Sequence, residues 1–503
     1  NDEQTRKILT EYKKTLSPEQ INGLTEENIR LQEWQSTPDS AEDIAKIPFI
    51  SLTDIKREVE QLPIESATHD LITLLKHPIA TNGIVYLSAY FDMNHLPDDD
   101  LPWVSLFSDL LGNLDTEHYT FSELANEIDI HTGGVSTEFN FYTDTIKPDN
   151  ILPKFNMRSK CILDKTEKML ELAAEYTFKN KFTDIPRITQ LIKETKARTQ
   201  MMIINAGHLI AIRRMLAQNS RLHKWQDMTQ GMDYYNFLNK LEAKIASDPQ
   251  EVTDKLIALA NALFNKNKLI LSITSQEDDI KQVWQKISLL TSHIKTADNQ
   301  SFENTFKPNT NNEGIIAPVN VQYCAQGGSF SQSGHEYSGK MMVLTNILRN
   351  DFLMQELRVK GGAYGILVQF SRQGNMFFCS YRDPNLVNTF EVYGKTSEYV
   401  QNFECTPRDF EKYIIGTMAE LDMPYSPYQK GINSDSHFIT GFTFEDRQQL
   451  RDEVLSTKIE DIRNYARLID YVMKKHQIAV FGVETTLKEN SNLFDVLIPA
   501  IPN

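Results

Sequence analysis

Residues 357–365, which read Leu-Arg-Val-Lys-Gly-Gly-Ala-Tyr-Gly, bring together side chains that could take part in hydrolysis. Arg358 offers a permanently charged fork of donors, and Tyr364 offers a phenolic donor. Both suit a peptide carbonyl oxygen that gathers negative charge. The glycine pair between them permits positive φ and the close approach of another chain. We therefore predict catalytic donors at Arg358 and Tyr364, and substrate contacts at Gly361, Gly362 and Ala363.

Tyr364 also fits a purely structural role. It has the same parity as Ile366, Val368 and Phe370, so it could be the first core-facing residue of a strand. No short motif with a known mechanism marks this Arg-to-Tyr spacing as catalytic. The residues alone leave both interpretations open.

The histidines do not form a recognisable metal motif. Helical metal sites commonly pair His residues four positions apart with a nearby Glu, and no two histidines of this chain are three or four apart. His335-Glu336 lies in a polar loop without a second histidine. A G-x-S-x-G elbow, a P-loop and a G-x-G-x-x-G turn are also absent from the sequence. The sequence therefore predicts no metal ligands and no self-sufficient catalytic centre.

Composition narrows the partners and the compartment. A formal charge of −16 disfavours nucleic acid and is compatible with basic or unstructured peptides. The widely spaced Cys161, Cys324, Cys379 and Cys405 favour a reducing compartment over a disulfide framework. No apolar run approaches the roughly 20 residues of a membrane span, and no signal peptide or initiator Met opens the chain. We expect a cytoplasmic protein, or an organelle-matrix protein in a eukaryote, whose sequence begins inside a longer polypeptide.

The order of predicted elements divides the chain into a hairpin and two domains. Residues 1–48 predict a helical hairpin with too little apolar surface to be stable alone. Residues 49–296 predict a first α/β domain, entered through an extended strand at 48–55, in which Met201 to Ile204 fill the core. Residues 297–312 predict a linker, and 313–503 a second α/β domain.

The second domain repeats the order of the first. Strands open at Gly83 and at Gly314, the latter continuing through Tyr323, and glycine pairs open strands at Gly133 and Gly361. The two offsets, 231 and 228 residues, are nearly equal. We therefore predict two copies of one unit, each an α+β layer of hairpin strands and segregated helices.

These features together resemble the insulinase/pitrilysin family of zinc metallopeptidases. Residues 356–365, Glu-Leu-Arg-Val-Lys-Gly-Gly-Ala-Tyr-Gly, are close to the pattern of its presequence-protease branch, and residues 131–136, His-Thr-Gly-Gly-Val-Ser, look like their counterpart in the preceding domain. Residues 415–418, Ile-Gly-Thr-Met, with 421–424, Leu-Asp-Met-Pro, are similar to a further family stretch. The resemblance covers essentially the whole chain.

The resemblance implies two tandem homologous α/β sandwich domains, the third and fourth of four, preceded by a hairpin that joins them to an N-terminal half. It implies a clamshell that closes around an unfolded peptide and cleaves it. The family's zinc site, a H-x-x-E-H helix with a distal Glu, does not occur here, so zinc and the general base would come from the absent half. Arg358 and Tyr364 would bind the scissile carbonyl and stabilise the tetrahedral oxyanion.

Other roles stay open beside this one. A catalytically silent peptide-binding or assembly subunit could share the fold, although the presence of both Arg358 and Tyr364 argues against it. The zinc-bearing half could belong to the same polypeptide or to a separate partner chain. In either arrangement we expect this chain alone to bind no zinc, to be inactive, and to contact neither nucleic acid nor membrane.

Overall fold

The structure is a computed structural model that describes residues 2–37, 39–296 and 306–502. The chain divides into two compact units, residues 1–54 and residues 55–503. Residues 297–305 of the predicted linker lie outside the described residues. The predicted domain boundaries stay predictions.

Residues 1–54 contain the two predicted helices, α1 (Asp2–Thr15) and α2 (Pro18–Ser36), and a short third helix, α3 (Ala41–Lys46). A capping box starts α2, because the side chains of Ser17 and Gln20 each accept from the other residue's backbone N–H. The strand expected at 48–55 is wrong. A 3₁₀ turn lies at Leu52–Asp54, where the Asp54 carboxylate accepts from the Ser51 N–H at 2.9 Å and closes the chain on itself.

Residues 55–503 contain all the strands and the remaining helices that the structure describes. The strands are β1 (Glu65–His69), β2 (Ile72–Pro78), β3 (Ile84–Asp92), β4 (Val135–Thr143), β5 (Ile151–Ile162), β6 (Leu269–Ser275), β7 (Glu313–Ile316), β8 (Tyr323–Ser329), β9 (Gly365–Phe370), β10 (Asn375–Tyr381), β11 (Ile478–Gly482) and β12 (Val496–Pro499). The helices are α4 (Leu101–Leu110), α5 (Phe121–His131), α6 (Thr166–Phe178), α7 (Ile185–Asn205), α8 (Gly207–Ala217), α9 (Arg221–Gln230), α10 (Met232–Ser247), α11 (Pro249–Leu263), α12 (Glu277–Lys286), α13 (Ser288–Thr291), α14 (Lys340–Asn350), α15 (Val387–Gln401), α16 (Pro407–Leu421), α17 (Pro427–Thr440), α18 (Phe444–Leu455), α19 (Ile459–Asn464), α20 (Ala466–Met473) and α21 (Glu484–Glu489). Short 3₁₀ turns lie at Asp98–Asp100, Leu163–Lys165 and Ser491–Leu493, and a π-helix lies at Met354–Lys360.

The strands form two six-stranded sheets, in the orders β1-β2-β6-β3-β5-β4 and β12-β7-β11-β8-β10-β9. Five strands correspond between the sheets, because β2-β6-β3-β5-β4 and β7-β11-β8-β10-β9 share one pattern of a parallel pair followed by antiparallel pairs. The predicted α+β class with two tandem homologous α/β units is therefore confirmed.

One anchor of the predicted repeat is wrong. Gly83 precedes β3, whereas Gly314 lies in β7, which corresponds to β2. The predicted strand from Gly314 to Tyr323 breaks after Ile316 and resumes as β8, so it is two strands that are not neighbours in the sheet. The second anchor holds, because the pairs at Gly133 and Gly361 precede the corresponding edge strands β4 and β9.

The two repeats exchange helices. Helix α8 of the first repeat packs on the second sheet, where a Cβ on Gly207 would lie 2.5 Å from Phe481. Helix α17 of the second repeat packs on the first sheet, where a Cβ on Gly431 would lie 2.1 Å from the Thr274 hydroxyl. Each repeat thus completes part of the other's core. In the helical stretch predicted as core, Ile203 is buried but Met201 is exposed, because consecutive helix residues point in different directions.

Candidate functional site

Arg358 and Tyr364 flank the junction between the π-helix and edge strand β9. Leu357 is buried and anchors the π-helix, whereas Arg358, one residue further on, is exposed. π-Helical segments recur at functional sites because the extra residue per turn redirects side chains. Here the segment ends by presenting the Arg358 guanidinium to solvent.

Two glycines make the turn that follows. Gly362 has a φ of +80°, in the left-handed region, and a Cβ on Gly361 would lie 2.7 Å from the Leu357 carbonyl oxygen. The Gly362 N–H donates to the Arg358 carbonyl at 3.0 Å, and the Ala363 N–H donates to the Leu357 carbonyl at 2.9 Å. These N–H groups therefore hold the turn itself. Substrate contacts at Gly361, Gly362 and Ala363 stay a prediction.

The turn brings the two predicted donors together. The guanidinium carbon of Arg358 lies 5.6 Å from the centre of the Tyr364 ring, which is within cation–π range. The Tyr364 side chain is 65% exposed, so its interpretation as a core-facing strand residue is wrong. Within the described residues, neither side chain has a hydrogen bond or an ion pair. Both donors are therefore open to a ligand.

A buried polar cluster that sequence reasoning missed fixes this turn from below. The Asp383 carboxylate accepts from the Thr389 hydroxyl at 2.7 Å and from the Asn385 N–H at 2.9 Å. The Asn385 side-chain amide in turn donates to the Gly361 carbonyl at 2.6 Å. The sequence Asp383-Pro384-Asn385 carries a turn signal that could have located this cluster.

A row of rings continues from Tyr364 toward the first repeat. The Tyr364 N–H donates to the Tyr381 carbonyl at 3.0 Å, and the two tyrosine rings lie 6.0 Å apart. His208, at the start of α8, packs edge-on against Tyr381 at 4.8 Å. Burial lowers the pKa of His208, so its ring is neutral at pH 7. His208 thus has a packing role, in keeping with the expectation that it is not a metal ligand.

Searches for a metal site and for a membrane span gave no candidates in the described part of the chain. There, no three His, Cys, Asp or Glu side chains come together in a way that could hold a metal ion. No helix of the described residues is long and apolar enough to cross a bilayer. The side chains present therefore do not fit the zinc site that the family resemblance implies.

Comparison with solved structures gives the class of fold. A peptidase M16 inactive domain from Pseudomonas fluorescens superposes with a TM-score of 0.60 at 13% identity, covering 84% of this chain and 97% of that one. At this identity the similarity concerns the fold alone. The fold is that of peptidase M16 domains.

Sequence comparison gives the family. Residues 1–241 match the family described as associated with peptidase M16, subgroup C, and residues 312–486 match the PreP C-terminal domain. Protein HypA of Clostridium perfringens is 36% identical over 97% of this chain and 50% of its own length, and presequence protease 1 of Arabidopsis thaliana is 28% identical over 98% and 46%. The chain belongs to the insulinase family of peptidases, as a presequence-protease-like C-terminal half. It spans about half the length of the curated relatives it matches.

Proposed function

We propose that this chain is the substrate-carbonyl-binding half of a zinc metalloendopeptidase that degrades unfolded peptides. The observation that carries the proposal is the pair of open donors, Arg358 and Tyr364, held 5.6 Å apart on a turn with a buried polar support. A charged guanidinium and a phenol beside it can both donate to one carbonyl oxygen, and they favour that oxygen most when it carries negative charge.

Zinc and the general base would come from an N-terminal half, in the same polypeptide or in a separate chain. Zinc would supply Lewis-acid chemistry there, and this chain's residues would bind and orient the peptide. Exposed apolar side chains of the hairpin, Ile8, Leu9, Tyr12 and Trp34, support a partner surface of this kind, since such side chains are normally covered. A cytoplasmic location stays a prediction, while the names of several relatives include mitochondrial or chloroplastic.

The experiment is substitution in the complete enzyme with peptide turnover, KM and zinc content measured together. Arg358→Ala and Tyr364→Phe should each lower kcat by about 100-fold or more, as loss of one oxyanion donor does, and leave zinc content unchanged. Lys360→Ala is the matched control, because Lys360 lies on the same π-helix and pairs with Glu356 at 2.6 Å. It should retain turnover.

A catalytically silent peptide-binding role is the second candidate. It draws support from the similarity to a domain named inactive and from the absence of a metal cluster in the described residues. Under that role, Arg358→Ala would weaken peptide binding without lowering kcat. Wild-type turnover in both Arg358→Ala and Tyr364→Phe would show that the pair is structural and would overturn the main proposal.

A further inference from the structure

We propose that Arg382 is a specificity-determining residue that binds a carboxylate of the peptide substrate beside the carbonyl-binding pair. The carboxylate would be either the C-terminal group of the peptide or an Asp or Glu side chain. This inference rests on the proposed function and adds a preference among substrates to it.

The backbone fixes Arg382 beside Tyr364. Arg382 directly follows β10, and its carbonyl accepts from the Tyr364 N–H at 3.3 Å. Its φ of +50° lies in the left-handed region, which is uncommon for a residue with a side chain. Reciprocal backbone hydrogen bonds of 2.7 and 2.9 Å between Gln322 and Asp383 hold the next residue in place. The position of the Arg382 side chain is therefore set by the same turn that sets Tyr364.

The guanidinium of Arg382 is available to an anion. Its side chain is exposed, and no described Asp or Glu lies within ion-pair distance of it. It lies 5.6 Å from the centre of the Tyr381 ring, and a hydrogen bond with the Tyr323 hydroxyl raises the pKa of Arg382. By contrast, Arg214 meets Glu313 with two hydrogen bonds and is fully engaged. An uncompensated guanidinium is the side chain best suited to a carboxylate.

Arg358, Tyr364, Tyr381 and Arg382 form one row, in which successive guanidinium carbons and ring centres are 5.6, 6.0 and 5.6 Å apart. At ~3.3 Å per residue, the row spans at most about five residues of an extended peptide. A peptide whose scissile carbonyl meets Arg358 and Tyr364 can therefore place a carboxylate at Arg382 without leaving the row. Among the groups of a peptide, only carboxylates carry the negative charge that such a guanidinium selects.

The net charge of −16 and this local row act at different ranges. The net charge favours the approach of basic peptides over distances up to the Debye length of about 8 Å at physiological salt. The Arg382 contact acts only once the peptide is bound. A substrate that is basic overall and carries one carboxylate near the scissile bond satisfies both.

The test uses the complete enzyme and a set of fluorogenic peptides that differ in one group. One pair ends in a free carboxylate or in an amide at a fixed distance from the scissile bond, and a second pair carries Glu or Gln at the same distance. We expect kcat/KM to favour the carboxylate by about 10-fold or more in one pair, which identifies the source of the carboxylate.

Arg382→Gly is the informative variant, because glycine adopts the left-handed conformation without strain and keeps the turn. It should abolish the preference while leaving turnover of the neutral peptides unchanged, and Arg382→Lys should retain part of it. Arg467→Ala, at an exposed arginine elsewhere on this repeat, is the control and should change nothing. An unchanged carboxylate preference in Arg382→Gly, or no preference in the wild type, overturns the inference.

The same peptides separate this inference from the proposed function. Arg358→Ala should lower turnover of every peptide by a similar factor. If Arg358→Ala leaves turnover unchanged, the proposed function fails, and the Arg382→Gly comparison still reports whether a carboxylate is read at Arg382.

Discussion

Replacing Asp435 by alanine should lower the free energy of unfolding by about 3–5 kcal/mol, because it removes one partner of a buried polar network between the repeats. Asp435, on α17, is 1% exposed. Its carboxylate lies 2.8 Å from Nε2 of His77 on β2 and accepts from the Tyr90 hydroxyl on β3 at 2.8 Å. Burial raises the pKa of Tyr90, so this phenol stays protonated and remains a donor. Alanine would leave two buried polar groups without partners.

Asparagine at the same position should cost much less. Nδ1 of His77 lies 2.9 Å from the Pro63 carbonyl, which can only accept, so Nδ1 carries a proton. In the neutral ring Nε2 is then an acceptor. The side-chain amide introduced by Asp435→Asn can donate to Nε2 while its oxygen accepts from Tyr90, which satisfies every group without a charge. Asp435→Asn should therefore lose less than about 1.5 kcal/mol.

Urea unfolding followed by circular dichroism and tryptophan fluorescence measures both changes, and hydrogen exchange of α17 shows whether the loss is local. Gly431, Asp435 and Ile439 lie four residues apart on the face of α17 that meets the first sheet, so exchange should rise along this helix. A loss below about 1 kcal/mol in Asp435→Ala, by the ~1–3 kcal/mol cost of each orphaned group, would refute the network's role. Equal losses in both variants would refute the neutral replacement.

Further predictions concern acid sensitivity and helix packing. Burial and then Arg447 lower the pKa of His437 to about 4, so the unfolded chain binds a proton between pH 6.5 and 4 that the folded chain does not, and stability falls as pH is lowered through this window. His437→Gln should therefore lose about 1–2 kcal/mol less than the wild type between pH 7 and pH 5, measured by urea unfolding at each pH, and an unchanged difference would contradict this. Gly207→Ala should lower the unfolding free energy by about 1–3 kcal/mol because its Cβ would enter the Phe481 ring, whereas Gly394→Ala, with no atom within 4 Å inside α15, should raise it by about 0.5–1 kcal/mol. Similar effects of both alanines would show that helix propensity, and not packing, decides.

Local periodicity predicted much of the fold. Val85, Leu87, Ala89 and Phe91 alternate in sequence and are all buried in β3. Glycine pairs marked the starts of both edge strands, because left-handed turns there demand glycine. Strand pairing was less accessible, since the apolar pattern around Gly314 is the same whether one strand continues or two separate strands follow each other. The exchange of α8 and α17 between repeats depends on contacts far apart in sequence, which no local pattern records.

The candidate site divides in the same way. Residue types and their spacing identified Arg358 and Tyr364, and the family resemblance supplied a role for them. The supporting Asp383, Asn385 and Tyr381 come close only when β10 pairs with β9, so their contribution required the structure. Tyr364 has the parity of a core residue, but it precedes the first paired residue of β9 and points to solvent.

Mixing the purified chain with a separately purified, zinc-bearing N-terminal half tests most directly whether this chain supplies substrate-binding donors to a centre completed elsewhere. Zinc is measured by elemental analysis and cleavage with a fluorogenic peptide, for each half and for the mixture. We predict no tight zinc and no turnover for this chain alone, and turnover in the mixture that Arg358→Ala lowers by about 100-fold. Stoichiometric zinc with chelator-sensitive cleavage by this chain alone would contradict the division of labour between the halves.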